Sequence, residues 1–181
     1  YFKTVDILTE KMGDISFEHQ GRRIQGMRMQ NLGDCYVING WESMPYDNHS
    51  GVVDLYRNAK GDSKILAYYN QPLYVAISPR KQIIHTPNPV PVDFYIVNEK
   101  NLKGKHILSI NVKDPNGKNI YQENKNVQLS GGEVFGELLI ENMLLPLNNQ
   151  SGMFSIEANL YNLNKEKQAS GKDQVLGVNW D

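Results

Sequence analysis

The side chains best suited to chemistry gather in one stretch, INGWESMPYDNHSGVVDLYRNAKGD, residues 38–62. Asp47, His49 and Asp54 make an acid–histidine–acid grouping, and a histidine so placed suits a general base near neutral pH. Ser43 and Ser50 are the only nearby serines, and no GxSxG-type motif accompanies them. Asp and Asn are also the ordinary residues of tight turns, where they hydrogen-bond their own backbone. An independent hydrolase centre is therefore not expected here. Arg57 and Lys60 are expected to pair with Asp54 and Asp62 at the start of a helix. The grouping reads as a loop rim, and a rim needs the elements that hold it.

Other chemistries find little support. The single cysteine, Cys35, forms no disulfide within the chain and precedes an apolar YVI, so it is expected to be a buried structural thiol. There is no CxxC, HExxH, GxGxxG or P-loop, so neither a metal site nor a cofactor is expected. A net charge of -1 over 181 residues argues against nucleic-acid binding through phosphate neutralisation. No apolar run is long enough to span a bilayer, so no membrane partner is expected. The opening YFKTVDILTEKMG lacks an initiator Met, and the expectation is a processed or truncated chain.

The first part is helical in period. Phe2, Val5, Leu8 and Met12 recur every three or four residues and predict one apolar helix face, with Gly13 as the stop. A second helix is predicted from Ser16, turning Phe17, Ile24 and Met27 inward, with Gly33 closing it. CYVING reads as a short buried strand. After the loop, Asp62 or Ser63 caps the helix SKILAYYNQ, which Pro72 ends. Tyr68, Tyr69 and Tyr74 are expected to pack at the junction between the two parts.

From LYVAIS onward the period changes to two. VDFYIVN, HILSINVKD, NIYQENKNVQL, VFGELLIE, MFSIEANLY and QVLGVNW read as strands, with DPNGK as a hairpin turn. Leu108, Ile110 and Val112 are expected to face the core, as are Phe154, Ile156, Ala158 and Leu160, and Leu176, Val178 and Trp180. The prolines of HTPNPVPVDF mark an extended linker or an edge strand. About seven short strands with no helix pattern between them predict an immunoglobulin-like β-sandwich. Tyr95, Tyr121 and Tyr161 fall out of phase with the core, which leaves open an exposed aromatic strip.

Three elements carry a family resemblance: Trp41, Ser50-Gly51-Val52-Val53-Asp54, and Arg57-Asn58-Ala59-Lys60, followed by VPVDFYIVNEKNLKGKHILSINVKDPNGK. Together they resemble the end of the catalytic barrel and the next domain in glycoside hydrolase family 2, which includes β-galactosidases, β-glucuronidases and β-mannosidases. Bacterial polysaccharide-degrading members are the most similar in character. The resemblance implies a mixed fold. Residues 1–80 would be the last strand and helices of a (β/α)8 barrel, and residues 81–181 an all-β immunoglobulin-like sandwich.

Retaining glycosidases use two carboxylates about 5–5.5 Å apart. In this family both are Glu residues on earlier barrel strands, so the resemblance places no catalytic residue in this chain. The chain alone would be silent, a structural support for an enzyme that hydrolyses β-glycosides. Asn98-Glu99 imitates the family's acid/base pair but ends a sandwich strand, and is set aside. Trp41 would stack on a sugar, or else be a core residue at a strand end. Glu42, Asp47 and His49 would line the same side, although for Glu42 a plain rim charge or local salt bridge is the favoured reading. The implied partners are a carbohydrate substrate and the rest of the parent chain upstream, and the implied location is periplasmic or secreted. The alternative is a non-enzymatic β-sandwich that binds carbohydrate or protein.

Overall fold

The computed structural model describes residues 3–31, 33, 35–37, 51–54 and 56–180. The chain divides into two compact units, Tyr1–Gln71 and Pro72–Asp181. Among the described residues, no helix is long and apolar enough to cross a membrane.

The first unit is built on α1 (Val5–Gln30) and α2 (Ser63–Tyr69). Thr4 caps α1, its hydroxyl accepting the Ile7 N–H at 3.3 Å. The two helices expected on either side of Gly13 are one. An interior glycine costs a helix only about 1 kcal/mol, and this one has a packing role. A Cβ on Gly13 would lie 1.7 Å from the Lys60 carbonyl oxygen. The buried stripe is Gly13, Phe17, Gly21 and Ile24, one face at helical spacing. The expected apolar face is a different one: Val5, Leu8 and Met12 are exposed, and so is Met27. Asn31, not Gly33, ends the helix, at φ 53° in the left-handed region that Asn tolerates.

Two sets of hydrogen bonds tie the helices at their ends. Asp62, the N-cap of α2, accepts the Lys64 N–H at 2.9 Å and donates its own N–H to Asp14 at 2.8 Å. Arg28 donates to the carbonyls of Tyr69 at 2.5 Å and Gln71 at 2.8 Å, a cation where the helix dipole favours one. Between them the Tyr69 ring covers Gly21, and its hydroxyl donates to Glu18 at 2.7 Å. Tyr68 meets Tyr69 edge to face, with ring centres 5.0 Å apart. Of the strand expected over residues 35–40, residues 38–40 lie outside the described residues and residues 35–37 are not in strand conformation. They pair with no described strand, and Cys35 is exposed, not a buried thiol.

The second unit is a β-sandwich. Its strands are β1 (Leu73–Pro79), β2 (Ile83–His85), β3 (Val90–Asn98), β4 (Gly104–Lys113), β5 (Asn119–Leu129), β6 (Gly136–Leu145), β7 (Gly152–Tyr161) and β8 (Lys167–Val178). One sheet runs β1-β3-β6 and the other β2-β8-β7-β4-β5. Every pairing is antiparallel except β2 with β8. Leu73–Pro79, expected to fall with residues 1–80, is instead bonded along its length to β3. The proline-rich crossing resolves into β2 at the edge of its sheet and the start of β3.

Strict alternation sets most of the core. Leu108, Ile110 and Val112 on β4 and Phe154, Ile156, Ala158 and Leu160 on β7 are all fully buried. Each large apolar side chain so buried contributes about 1.5–3 kcal/mol. The last strand runs in the opposite phase to that expected. Ala169, Gly171, Asp173, Val175 and Gly177 face inward, while Trp180 is 75% exposed. Small residues are required on that face. A Cβ on Gly177 would lie 2.5 Å from the Phe154 ring and 2.7 Å from the Thr86 methyl.

Candidate functional site

The residues expected to face a sugar, Trp41, Glu42, Asp47 and His49, lie outside the described residues, as do Ser43 and Ser50. The structure is described again from Gly51, at the exit of that loop. Val53 bridges to Ala59, and Asp54 sits inside the resulting turn. One Asp54 oxygen accepts the N–H groups of Tyr56 and Asn58, each at 2.8 Å, and the other accepts the Asn58 amide at 3.0 Å. These bonds, the Asn58 side chain first, hold the Asp54 carboxyl below the usual carboxylate range. A carboxylate whose lone pairs serve its own turn is a clamp, not a proton acceptor. Asp54 therefore shapes the exit of the loop. Asp62 likewise serves α2, and Asp14 is held low by the Asp62 N–H and then by Lys11.

In the sandwich, the three tyrosines do not form one strip. Tyr95 lies on the three-stranded sheet, opposite Ala76 and Leu138. Tyr121 lies on β5 and packs at the margin of the core. Tyr161 lies on β7 opposite Ile107, on the side away from the buried Leu160. Tyr121 donates to Glu123, and burial, that hydrogen bond and the nearby charge push its hydroxyl up to about 12.

Sequence reasoning missed one charged centre. Arg80 donates to both oxygens of Asp93, each at 2.9 Å, and reaches Glu141 at 3.3 Å. Asp93 also accepts the Asn142 N–H at 2.6 Å, where β6 carries a bulge at Asn142 with φ 50°. Burial alone pushes the Asp93 carboxyl up, but Arg80 and that N–H outweigh it and hold it low. No spacing rule pairs residues 80, 93 and 141; the sheet register alone brings them together. The arrangement is a structural fork with both carboxylates engaged.

The remaining polar groups serve turns. Asn98 accepts the Leu102 N–H and donates to the Leu102 carbonyl, closing the loop after β3. One Asp114 oxygen accepts the N–H groups of Asn116 and Lys118 in the DPNGK turn, where Gly117 adopts φ 81°. Among the described residues, no group of His, Cys, Asp and Glu is arranged to hold a metal ion. A groove of about 260 Å³ opens beside β2, lined by residues of the crossing between β1 and β3.

No family model matches the sequence, and no curated protein is similar enough to match. Solved structures do match. The exo-β-D-glucosaminidase CsxA is 13% identical with a TM-score of 0.61, over 96% of this chain and 20% of its own. A structure of the Amycolatopsis orientalis exo-chitosanase CsxA is 12% identical with a TM-score of 0.58, over 92% and 19%. A Bacteroides uniformis β-glucuronidase is 17% identical with a TM-score of 0.43, over 57% of this chain and 13% of its own. A glycosyl hydrolase family 2 member from Bacteroides cellulosilyticus is 15% identical with a TM-score of 0.44, over 59% and 14%. The chain therefore spans a fifth or less of each of these glycosidases, and what it shares with CsxA, at that identity, is the fold.

Proposed function

We propose that this chain is the C-terminal part of a glycoside hydrolase family 2-like β-glycosidase, of the β-galactosidase, β-glucuronidase or β-mannosidase type. Residues 1–71 supply the end of its (β/α)8 barrel, and the sandwich from Pro72 onward follows as an immunoglobulin-like domain. One observation supports this most. The likeness to CsxA runs through 96% of this chain, both units included, yet occupies 20% of that chain.

On this reading the two carboxylates of retaining hydrolysis lie on barrel strands upstream of Tyr1. Trp41 stacks on the apolar face of the sugar, with Glu42, Asp47 and His49 beside it. Asp54 and its turn fix where that rim ends, and the sandwich buttresses the barrel. The chemistry needs no cofactor. The whole enzyme resembles the bacterial, polysaccharide-degrading members, acts on a carbohydrate substrate in the periplasm or outside the cell, and this chain alone is silent.

The test is the intact mass of the native protein, with a nitrophenyl glycoside assay on the 181-residue chain. A mass several times that of these residues, with no turnover by the chain alone, supports the reading. Robust turnover by the chain alone overturns it. A native mass near that of these residues also overturns it and favours a carbohydrate- or protein-binding sandwich module.

A further inference from the structure

The groove beside β2 has a composition that neither the fold nor the glycosidase reading explains. Its volume of about 260 Å³ equals roughly eight or nine water molecules at about 30 Å³ each. That is the size of one small ligand or group. Ile84 is buried, so the alternation of the strand turns Ile83 and His85 to the opposite, open side, and Lys81, just before the strand, lines the same groove. The return of the chain supplies the other wall, with Asn88, Pro89 and Pro91. Two backbone bonds hold the walls in place: Arg80 N–H to the Pro91 carbonyl at 2.9 Å, and Asn88 N–H to the His85 carbonyl at 3.0 Å.

Three polar side chains therefore line one concavity: an ammonium, an imidazole and a carboxamide. None of the three makes a hydrogen bond or ion pair with another described residue. No carboxylate lines the groove; the nearby Asp93 is held by Arg80. The backbone adds donors. Gln82 gives its carbonyl, and Thr86 its N–H, to β8. The alternation of a parallel edge strand then turns the N–H groups of Ile83 and His85 away from β8. Donors with no carboxylate among them, set against proline and isoleucine walls, suit an oxyanion carried on a small body.

We propose that this groove is a binding site for a small oxyanion ligand, a carboxylate or phosphate group held by Lys81, His85 and Asn88 against Pro89 and Pro91. Lys81 supplies the charge. His85 and Asn88 supply directional hydrogen bonds. The site does not depend on the glycosidase reading.

The test is a nuclear magnetic resonance titration of the full chain, following the His85 ring resonance, identified by its loss in His85→Gln. Sodium acetate, glucuronate and inorganic phosphate are added at constant ionic strength, with sodium chloride and glucose as controls. A saturable shift with an oxyanion, of dissociation constant about 10 mM or tighter, is the expected result, without one from chloride or glucose. Lys81→Gln is expected to weaken it about fivefold while leaving the other histidine resonances in place. Response to acetate and glucuronate alone supports a carboxylate ligand, and response to phosphate alone a phosphate ligand. No saturation with any oxyanion, an equal response to chloride, or unchanged affinity in Lys81→Gln overturns the proposal.

Discussion

Gly171 on β8 lies so close to β1 that a Cβ there would sit 1.9 Å from the Val75 carbonyl oxygen. The two strands belong to different sheets, and this is where the sheets approach backbone to backbone. Gly171→Ala must push them apart, and overpacking of this kind costs about 1–3 kcal/mol or more. The expected result is a lowered denaturation midpoint in urea. Gly132→Ala is the control, because its φ is 98° but nothing lies within 4 Å; its cost is backbone strain alone, about 1 kcal/mol. Equal losses in the two variants would remove the close approach as the cause.

Helix α1 offers the same contrast within one element. A Cβ on Gly21 would lie 2.0 Å from the Tyr69 ring, whereas one on Gly26 would meet nothing. Gly26→Ala is expected to stabilise the first unit by about 0.5–1 kcal/mol through helix propensity. Gly21→Ala is expected to destabilise it by displacing Tyr69 from α1. Thermal unfolding by far-ultraviolet circular dichroism reads both, and a stabilised Gly21→Ala would refute the packing of Tyr69 on that glycine.

The Arg80–Asp93 fork predicts a pH dependence with a definite sign. Asp93 is held below the value of about 3.9 it has in an unfolded chain. A depressed carboxyl adds stability above its unfolded value and loses it as pH falls through the folded one. Asp93→Asn should therefore lower stability near neutral pH by about 1–2 kcal/mol, a figure reduced for the 42% exposure of the Arg80 side chain. It should also flatten the stability curve below pH about 4. Glu141→Gln should change little, since that carboxylate is 69% exposed.

Tyr121 predicts the opposite arm. Its hydroxyl, pushed up to about 12, starts from an unfolded value of about 10. A raised value gives stability that is complete below the unfolded one and fades as pH climbs toward the folded one. The phenolate absorbance difference between the native chain and Tyr121→Phe should show a step near pH 12. A step near pH 10 would mean that burial and Glu123 do not protect it.

Much of the sandwich was legible because β4 and β7 alternate strictly and carry large apolar residues on one side. The last strand misled for a physical reason. Of its inward residues, Ala169, Gly171, Asp173, Val175 and Gly177, only Val175 is a large apolar one, and the two glycines are small because the Val75 backbone and the Phe154 ring lie against them. Leu176, Val178 and Trp180 therefore looked like the buried set. Gly13 misled in the same way, reading as a stop when it is a seat for the Lys60 carbonyl. Strand β2 escaped notice because three residues carry no period. The Asp54 turn was visible as turn chemistry. The Arg80–Asp93–Glu141 fork was not, since strand register rather than spacing assembles it. Trp41, Glu42, Asp47 and His49 lie outside the described residues.

Strand β8 pairs with β7 on one side and β2 on the other, and its inward glycines seat β1 and Phe154. During synthesis on the ribosome, everything from β1 to β7 emerges before the strand that joins these pieces. The β2 edge must wait about ninety residues for its partner, a long-range closure of the kind that slows folding. The sandwich can close only once Val178 has cleared the exit tunnel. Until then β2 has no strand to pair with and the Phe154 ring has no cover from Gly177, so an unpaired edge and apolar surface stay open over that interval.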